Sequence, residues 1–117
     1  MNIQIYVNKK NFDVQKAERF FKERCVPFTE VDLKKHRLGM RELQLFARAA
    51  GGMKALVDES AKGERALYVQ HLSIEDMIAE ELMEHTELIK GPIVRNGQKV
   101  MLGFDEKTAL QWLTEDK

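Results

Sequence analysis

Lys9-Lys10-Asn11, just ahead of the first helical pattern, is where residue type and spacing could do chemistry in this chain. A helix N-terminus offers backbone N–H groups without partners and the positive end of the helix dipole. Two lysines beside it would attract a phosphate or a carboxylate. The other role open to Asn11 is structural: its amide oxygen accepts a first-turn N–H as an N-cap, and lysines in a loop are commonly solvated. Cys25 lies near the far end of the same pattern, away from the positive end that activates a thiol. It falls on the stripe shared with Phe21, as a buried, unreactive filler would. His36, His71 and His85 are far apart and make no His-x-x-x-His or His-Glu spacing, so no metal centre is expected. No Ser-His-Asp signature, Gly-rich phosphate loop or nucleophile elbow is present, and no catalytic pair emerges.

The elements that must position these residues follow from periodicity. Residues 2–7 put Ile3, Ile5 and Val7 on one side and Asn2, Gln4 and Tyr6 on the other, a strand. Residues 11–25 carry Val14, Ala17, Phe20, Phe21 and Cys25 at helical spacing, with Asn11 at the N-cap and Asp13 in the first turn. Pro27 stops this helix and residues 27–33 read as a second strand, so residues 2–33 form a parallel βαβ unit. A helix over 39–50 ends at Gly51-Gly52, and residues 53–60 read as a short helix. Residues 61–65 form a loop, and 66–72 fit either a short helix or extended chain. Ser73-Ile74-Glu75-Asp76 opens a capping-box pattern for a helix to about residue 85. Residues 92–104 are two apolar strands joined by Asn96-Gly97, the pair suited to a type I′ hairpin, and Asp105 caps a final helix carrying Ala109, Leu110, Trp112 and Leu113.

Composition narrows the function classes. The 117 residues fit one domain, divided into βαβ (2–33), a mainly helical insertion (34–90), and hairpin with closing helix (91–117). With 19 basic and 19 acidic residues the formal charge is zero, so no direct nucleic-acid contact is expected. Apolar runs are too short to span a bilayer and no export signal is visible, so a cytoplasmic protein without a membrane partner is expected. A single cysteine closes no intramolecular disulfide. Charge is uneven: Lys9, Lys10, Lys16, Arg19, Lys22 and Arg24 cluster at helix one, while Glu75, Asp76, Glu80, Glu81, Glu84 and Glu87 crowd the later helix. Such runs are commonly solvated, but opposite faces also permit docking to a charged protein or self-association.

Ile5-Tyr6, Gln15-Lys16-Ala17, and above all Leu88-Ile89-Lys90-Gly91-Pro92-Ile93-Val94 through Asn96-Gly97, Val100 and Gly103-Phe104 resemble the ArsC family. That family holds glutaredoxin-coupled arsenate reductases and the Spx transcription regulators. The resemblance implies an α/β thioredoxin-like fold, βαβ…ββα, with a mixed four-stranded sheet and a helical insertion between strands two and three. It also implies a cis bond before Pro92. The nucleophilic cysteine of ArsC-like enzymes aligns with Asn11, and the second cysteine of many relatives with Val14. An amide has neither the charge nor the leaving-group chemistry of a thiolate. Arginine before the hairpin proline is Gly91 here, which removes a fork suited to an oxyanion, and another anion-binding arginine of the reductases falls near Asp58.

The expectation is a non-redox, ArsC/Spx-like binding or regulatory protein with a degenerate active site and no cofactor. Lys9, Lys10, Asn11 and Pro92 would form any retained anion pocket. By analogy with Spx the partner would be the RNA polymerase α subunit, met near the Gly51-Gly52 turn. The alternative is a divergent arsenate reductase or a glutathione-dependent thiol oxidoreductase.

Overall fold

In the computed structural model, which describes residues 1–115, the first strand β1 (Ile3–Val7) buries side chains on both faces. Ile3, Ile5 and Val7 pack with Val14, Ala17, Phe20 and Phe21 of α1 (Phe12–Glu23) in one core cluster. Tyr6, on the opposite face, is only 1% exposed and enters a second cluster. An interior strand with helices on both sides must present apolar surface to both, which is why the polar side of the alternation holds a tyrosine.

β1 pairs in parallel with β2 (Phe28–Asp32), Ile3 opposite Phe28 and Val7 opposite Asp32. On its other edge it pairs antiparallel with β3 (Ile93–Asn96), which pairs antiparallel with β4 (Lys99–Leu102). The sheet is mixed and four-stranded, as expected, and its strands run in the order β2-β1-β3-β4. Between β2 and β3 lie α2 (Met40–Ala50), a 3-10 turn at Met53–Leu56, α3 (Glu64–Gln70), α4 (Glu75–Glu84) and a second 3-10 turn at Thr86–Leu88. The chain closes with α5 (Glu106–Glu115).

Leu43 and Phe46 of α2, Leu56, Val69 of α3, and Ile78 and Leu82 of α4 fill the second cluster against Tyr6 and Ile93. Each such side chain contributes about 1.5–3 kcal/mol on leaving water. The insertion is stitched back to the strand-three approach by backbone bonds. Asp58 N–H donates to Leu88 O at 2.8 Å, Lys90 N–H donates to Leu56 O at 2.7 Å, and Val57 bridges Ile89. Among the described residues no helix is long and apolar enough to cross a membrane.

Several local expectations shift. The hairpin turn is displaced by one residue: Asn96 pairs with Lys99, so Gly97 and Gln98 form the loop. Gly97 alone takes positive φ, at 62°, as a type II′ turn requires of its first central residue. The segment 66–72 is helical as far as Gln70, anchored by Ala66 and Val69. Ser73 does not cap α4; the N-cap is Ile74, without a side-chain bond. The helix expected over 53–60 shrinks to the 3-10 turn.

Cys25 is the largest correction, being exposed rather than buried. α1 ends in a Schellman motif, Val26 N–H donating to Phe21 O at 2.9 Å and Cys25 N–H to Lys22 O at 3.1 Å. Cys25 takes the left-handed position at φ 56°, where glycine is usual, and this turns its side chain away from the Phe21 stripe. Leu110 is likewise 44% exposed, so Ala109 and Trp112 carry the packing of α5.

Candidate functional site

The start of α1 is held by Asn11. Its extended backbone (φ −148°) leaves the helix, and its side-chain oxygen accepts the Val14 N–H at 3.0 Å. That is an N-cap bond, worth about 1 kcal/mol. The Asn11 amide nitrogen faces Gly91 O at 3.5 Å, across to the strand-three approach. The Gly91-Pro92 bond is cis, as the resemblance implies. Pro92 is buried, and its carbonyl accepts the Gly103 N–H at 2.7 Å. Val14, which the resemblance aligns with the second cysteine of many relatives, is 0% exposed in the core.

Lys9 and Lys10 are both exposed, but each has an acidic partner. The Lys9 ammonium stands 3.7 Å from Asp58, whose side chain is 13% exposed. Burial works against charge on Asp58, yet the Ser60 hydroxyl (2.7 Å) and Ser60 N–H (3.0 Å), together with Lys9, hold its carboxyl below the ordinary aspartate value. Lys10 meets Glu30 at 2.7 Å and Glu18 at 3.6 Å. The hydrogen bond to Glu30 holds the Lys10 ammonium above the ordinary lysine value, and the same bond holds Glu30 below that of glutamate. An anion arriving at α1 would meet these pairs rather than two free cations.

The sequence singled out Lys9, Lys10, Asn11 and Pro92 but passed over Asn8, the residue that joins their supporting segments. Asn8 is 7% exposed and its amide donates to Thr86 O at 3.2 Å and Ile89 O at 2.5 Å. A Cβ at Gly91 would lie 3.2 Å from Asn8 Oδ1. Glycine is therefore favoured at the position where the resemblance places an arginine: a side chain there would press on the Asn8 amide. The signal was the Gly91 substitution itself, which called for something close to its α-carbon.

Two further clusters lie outside this site. The Tyr6 hydroxyl donates to Glu42 at 3.1 Å and accepts from Arg95 at 3.4 Å, with His36 3.4 Å from Glu42. Burial, opposed by the Arg95 bond, holds the phenol above the ordinary tyrosine value. Ligand atoms of Glu81, Glu84 and His85 lie within 4.8 Å of one another, a grouping the histidine spacing did not announce because its other members are glutamates. Arg65 occupies Glu81 at 3.0 Å and Glu87 occupies His85 Nδ1 at 3.4 Å. Gly51 (φ 93°) ends α2 as expected, and Glu75 of α4 accepts the Met53 N–H at 3.0 Å beside Gly52.

The model of the ArsC family matches residues 6–112. Similar solved structures include the arsenate reductase from Vibrio cholerae, at 19% identity, 95% coverage of this chain and 97% of that chain, and TM-score 0.77. They also include SACOL0876 from Staphylococcus aureus COL, at 26% identity, 93% and 96% coverage, and TM-score 0.71. The ArsC-related protein from Brucella melitensis is 18% identical, with 97% and 95% coverage and TM-score 0.63. No curated protein matches the chain.

Proposed function

We propose that this chain, a member of the ArsC family in which the resemblance aligns Asn11 with the family's nucleophilic cysteine, is a non-redox binding or regulatory protein that keeps the thioredoxin-like fold as a scaffold. The observation that carries this is the use of Asn11: its carbonyl oxygen is spent on the Val14 N–H as the cap of α1. A carboxamide there forms no thiolate and accepts no thiol exchange. The other ingredients of oxyanion chemistry are replaced in step, with Gly91 packed against Asn8 and Asp58 paired to Lys9.

Spx supplies the model for the role. The partner by that analogy is the RNA polymerase α subunit, approached at the Gly51-Gly52 turn, in the cytoplasm and without a cofactor. The test has two arms. Purified protein is assayed for arsenate reduction with glutathione and glutaredoxin, and for retention of the purified C-terminal domain of the α subunit. Turnover above the protein-free blank overturns the non-redox assignment. Failure to retain the α domain overturns the polymerase partner alone.

The second reading is a divergent arsenate reductase or glutathione-dependent oxidoreductase, favoured by the likeness to the Vibrio cholerae enzyme's fold. Under it, Lys9, Lys10, Asn11 and Pro92 would hold the anionic substrate or glutathione. It would then have to act without a cysteine at position 11.

A further inference from the structure

Single apolar side chains at a surface need no explanation, but a group of them on paired helices does. Leu67 and Tyr68 of α3 are 57% and 45% exposed, and Ile74 and Met77 at the start of α4 are 59% and 38% exposed. Helical spacing brings members of this group together. The Arg65 guanidinium reaches Glu81 at 3.0 Å, tying α3 to α4. Tyr68 lies one turn beyond Arg65 toward the α3–α4 junction, and Met77 one turn before Glu81 toward the same junction. Arg65 also stands over the Tyr68 ring, 5.6 Å from its centroid, which fixes the ring at the rim.

The corner is held rigid by polar braces rather than by burial of these side chains. The Lys54 ammonium caps the carbonyls of Gln70 and Leu72. The Gln70 amide donates to Asp58 O at 3.1 Å and Ala61 O at 3.0 Å. An exposed apolar surface on a pre-organised corner loses little entropy on binding.

Charge selects the occupant. Asp76, Glu80 and Glu84 recur every fourth residue along the exposed side of α4, and among the described residues no ion pair engages Asp76 or Glu80. The whole chain is formally neutral, so this negative row is a local feature. A surface with an apolar strip flanked by carboxylates matches a helix with an apolar stripe flanked by lysine or arginine. A second copy of this chain fits less well: α1 exposes Lys16, Arg19 and Lys22, but its exposed apolar residue is Phe12 alone, in the first turn.

We infer that the α3–α4 corner, with exposed Leu67, Tyr68, Ile74 and Met77 flanked by the acidic row of α4, docks a basic amphipathic helix of a partner protein. The inference rests on the binding role proposed above and gives it a partner chemistry.

Isotope-labelled full-length protein is titrated with a synthetic leucine-lysine amphipathic helix of about four turns and with its leucine-glutamate counterpart, and amide shifts are followed. Shifts confined to residues 64–84 with the lysine peptide, and none with the glutamate peptide, are expected. Met77→Glu and Ile74→Glu, at exposed positions, weaken the interaction about tenfold or more, and Glu80→Lys weakens it without touching the apolar strip. The inference is overturned by equal response to both peptides, by shifts centred on Phe12 or the α1 face, or by no shift up to about 1 mM peptide. Concentration-dependent shifts at the same residues without peptide would also overturn it, in favour of self-association. None of these outcomes bears on arsenate turnover, so failure here is distinct from failure of the non-redox assignment.

Discussion

Asn8→Ala should destabilise this protein far more than an ordinary loop substitution. The change removes two side-chain N–H donors; Thr86 O keeps the Ile89 N–H at 3.2 Å, but Ile89 O loses the Asn8 amide in a segment where Leu88 is 5% and Ile89 is 0% exposed. Each lost bond costs about 0.5–1.5 kcal/mol, and an unmet buried carbonyl adds to that, giving about 2–3 kcal/mol in all. For a domain of this size the melting temperature would fall by about 8–15 °C. Gly91→Ala in the wild-type background is tight by a few tenths of an ångström, because its Cβ meets Asn8 Oδ1 at 3.2 Å and the amide is held by its hydrogen bonds. That costs about 1 kcal/mol. In the Asn8→Ala background the contact is gone and Gly91→Ala becomes neutral or stabilising by about 0.5 kcal/mol, through the unfolded chain. The double-mutant cycle, read from urea midpoints at constant m, should show coupling of about 1–2 kcal/mol. Additivity within about 0.5 kcal/mol would refute the claim that Asn8 dictates glycine at position 91.

Other outcomes follow from the same structure. Asn11→Ala should lose about 1 kcal/mol of stability as α1 loses its cap, measured by thermal melting. Cys25→Gly should gain up to about 1 kcal/mol by relieving the left-handed φ of 56°, and native Cys25 should react fully with a thiol reagent without unfolding, being exposed. Asp58 has a folded value below its unfolded one, so it contributes stability above an ordinary value of 3.8 that is lost as pH falls through the lower folded value. Asp58→Asn should flatten that acid limb in pH-dependent melts. Tyr6 behaves in the opposite sense. Its raised folded value gives stability fully present below pH 10.0 and lost as pH rises through the folded value. Tyr6→Phe should remove that alkaline loss.

What was legible in the sequence was what depends on neighbours along the chain. Alternation at Ile3, Ile5 and Val7, helical spacing at Val14, Ala17 and Phe21, and the cap at Asn11 are local, and the structure has them. The hairpin was found but its turn slid by one residue, because Asn96-Gly97 and Gly97-Gln98 both satisfy a glycine-bearing primed turn and only cross-strand pairing chooses between them. Cys25 reads as core because the periodicity is extended two residues past the helix, which ends at Glu23. At that point the Schellman turn reverses the backbone, a change that helical spacing does not encode. α3 was ambiguous because its short apolar repeat, Ala66 and Val69, also fits a strand.

At the candidate site, residue identities were readable but their partners were not. Lys9 with Asp58 and Lys10 with Glu30 join positions far apart in sequence, so the lysines looked free. Asn8 resembled any solvated loop asparagine, and only its bonds to Thr86 and Ile89 reveal it as a buried brace.

The central claim is that this ArsC-family chain performs no thiol redox chemistry, and arsenate reduction with glutathione and glutaredoxin tests it most directly. Wild type is assayed beside Cys25→Ser, which removes the chain's single thiol. The account predicts that both stay at the level of the protein-free blank. Wild-type turnover would contradict it, and its loss in Cys25→Ser would identify the exposed cysteine at the end of α1 as the nucleophile.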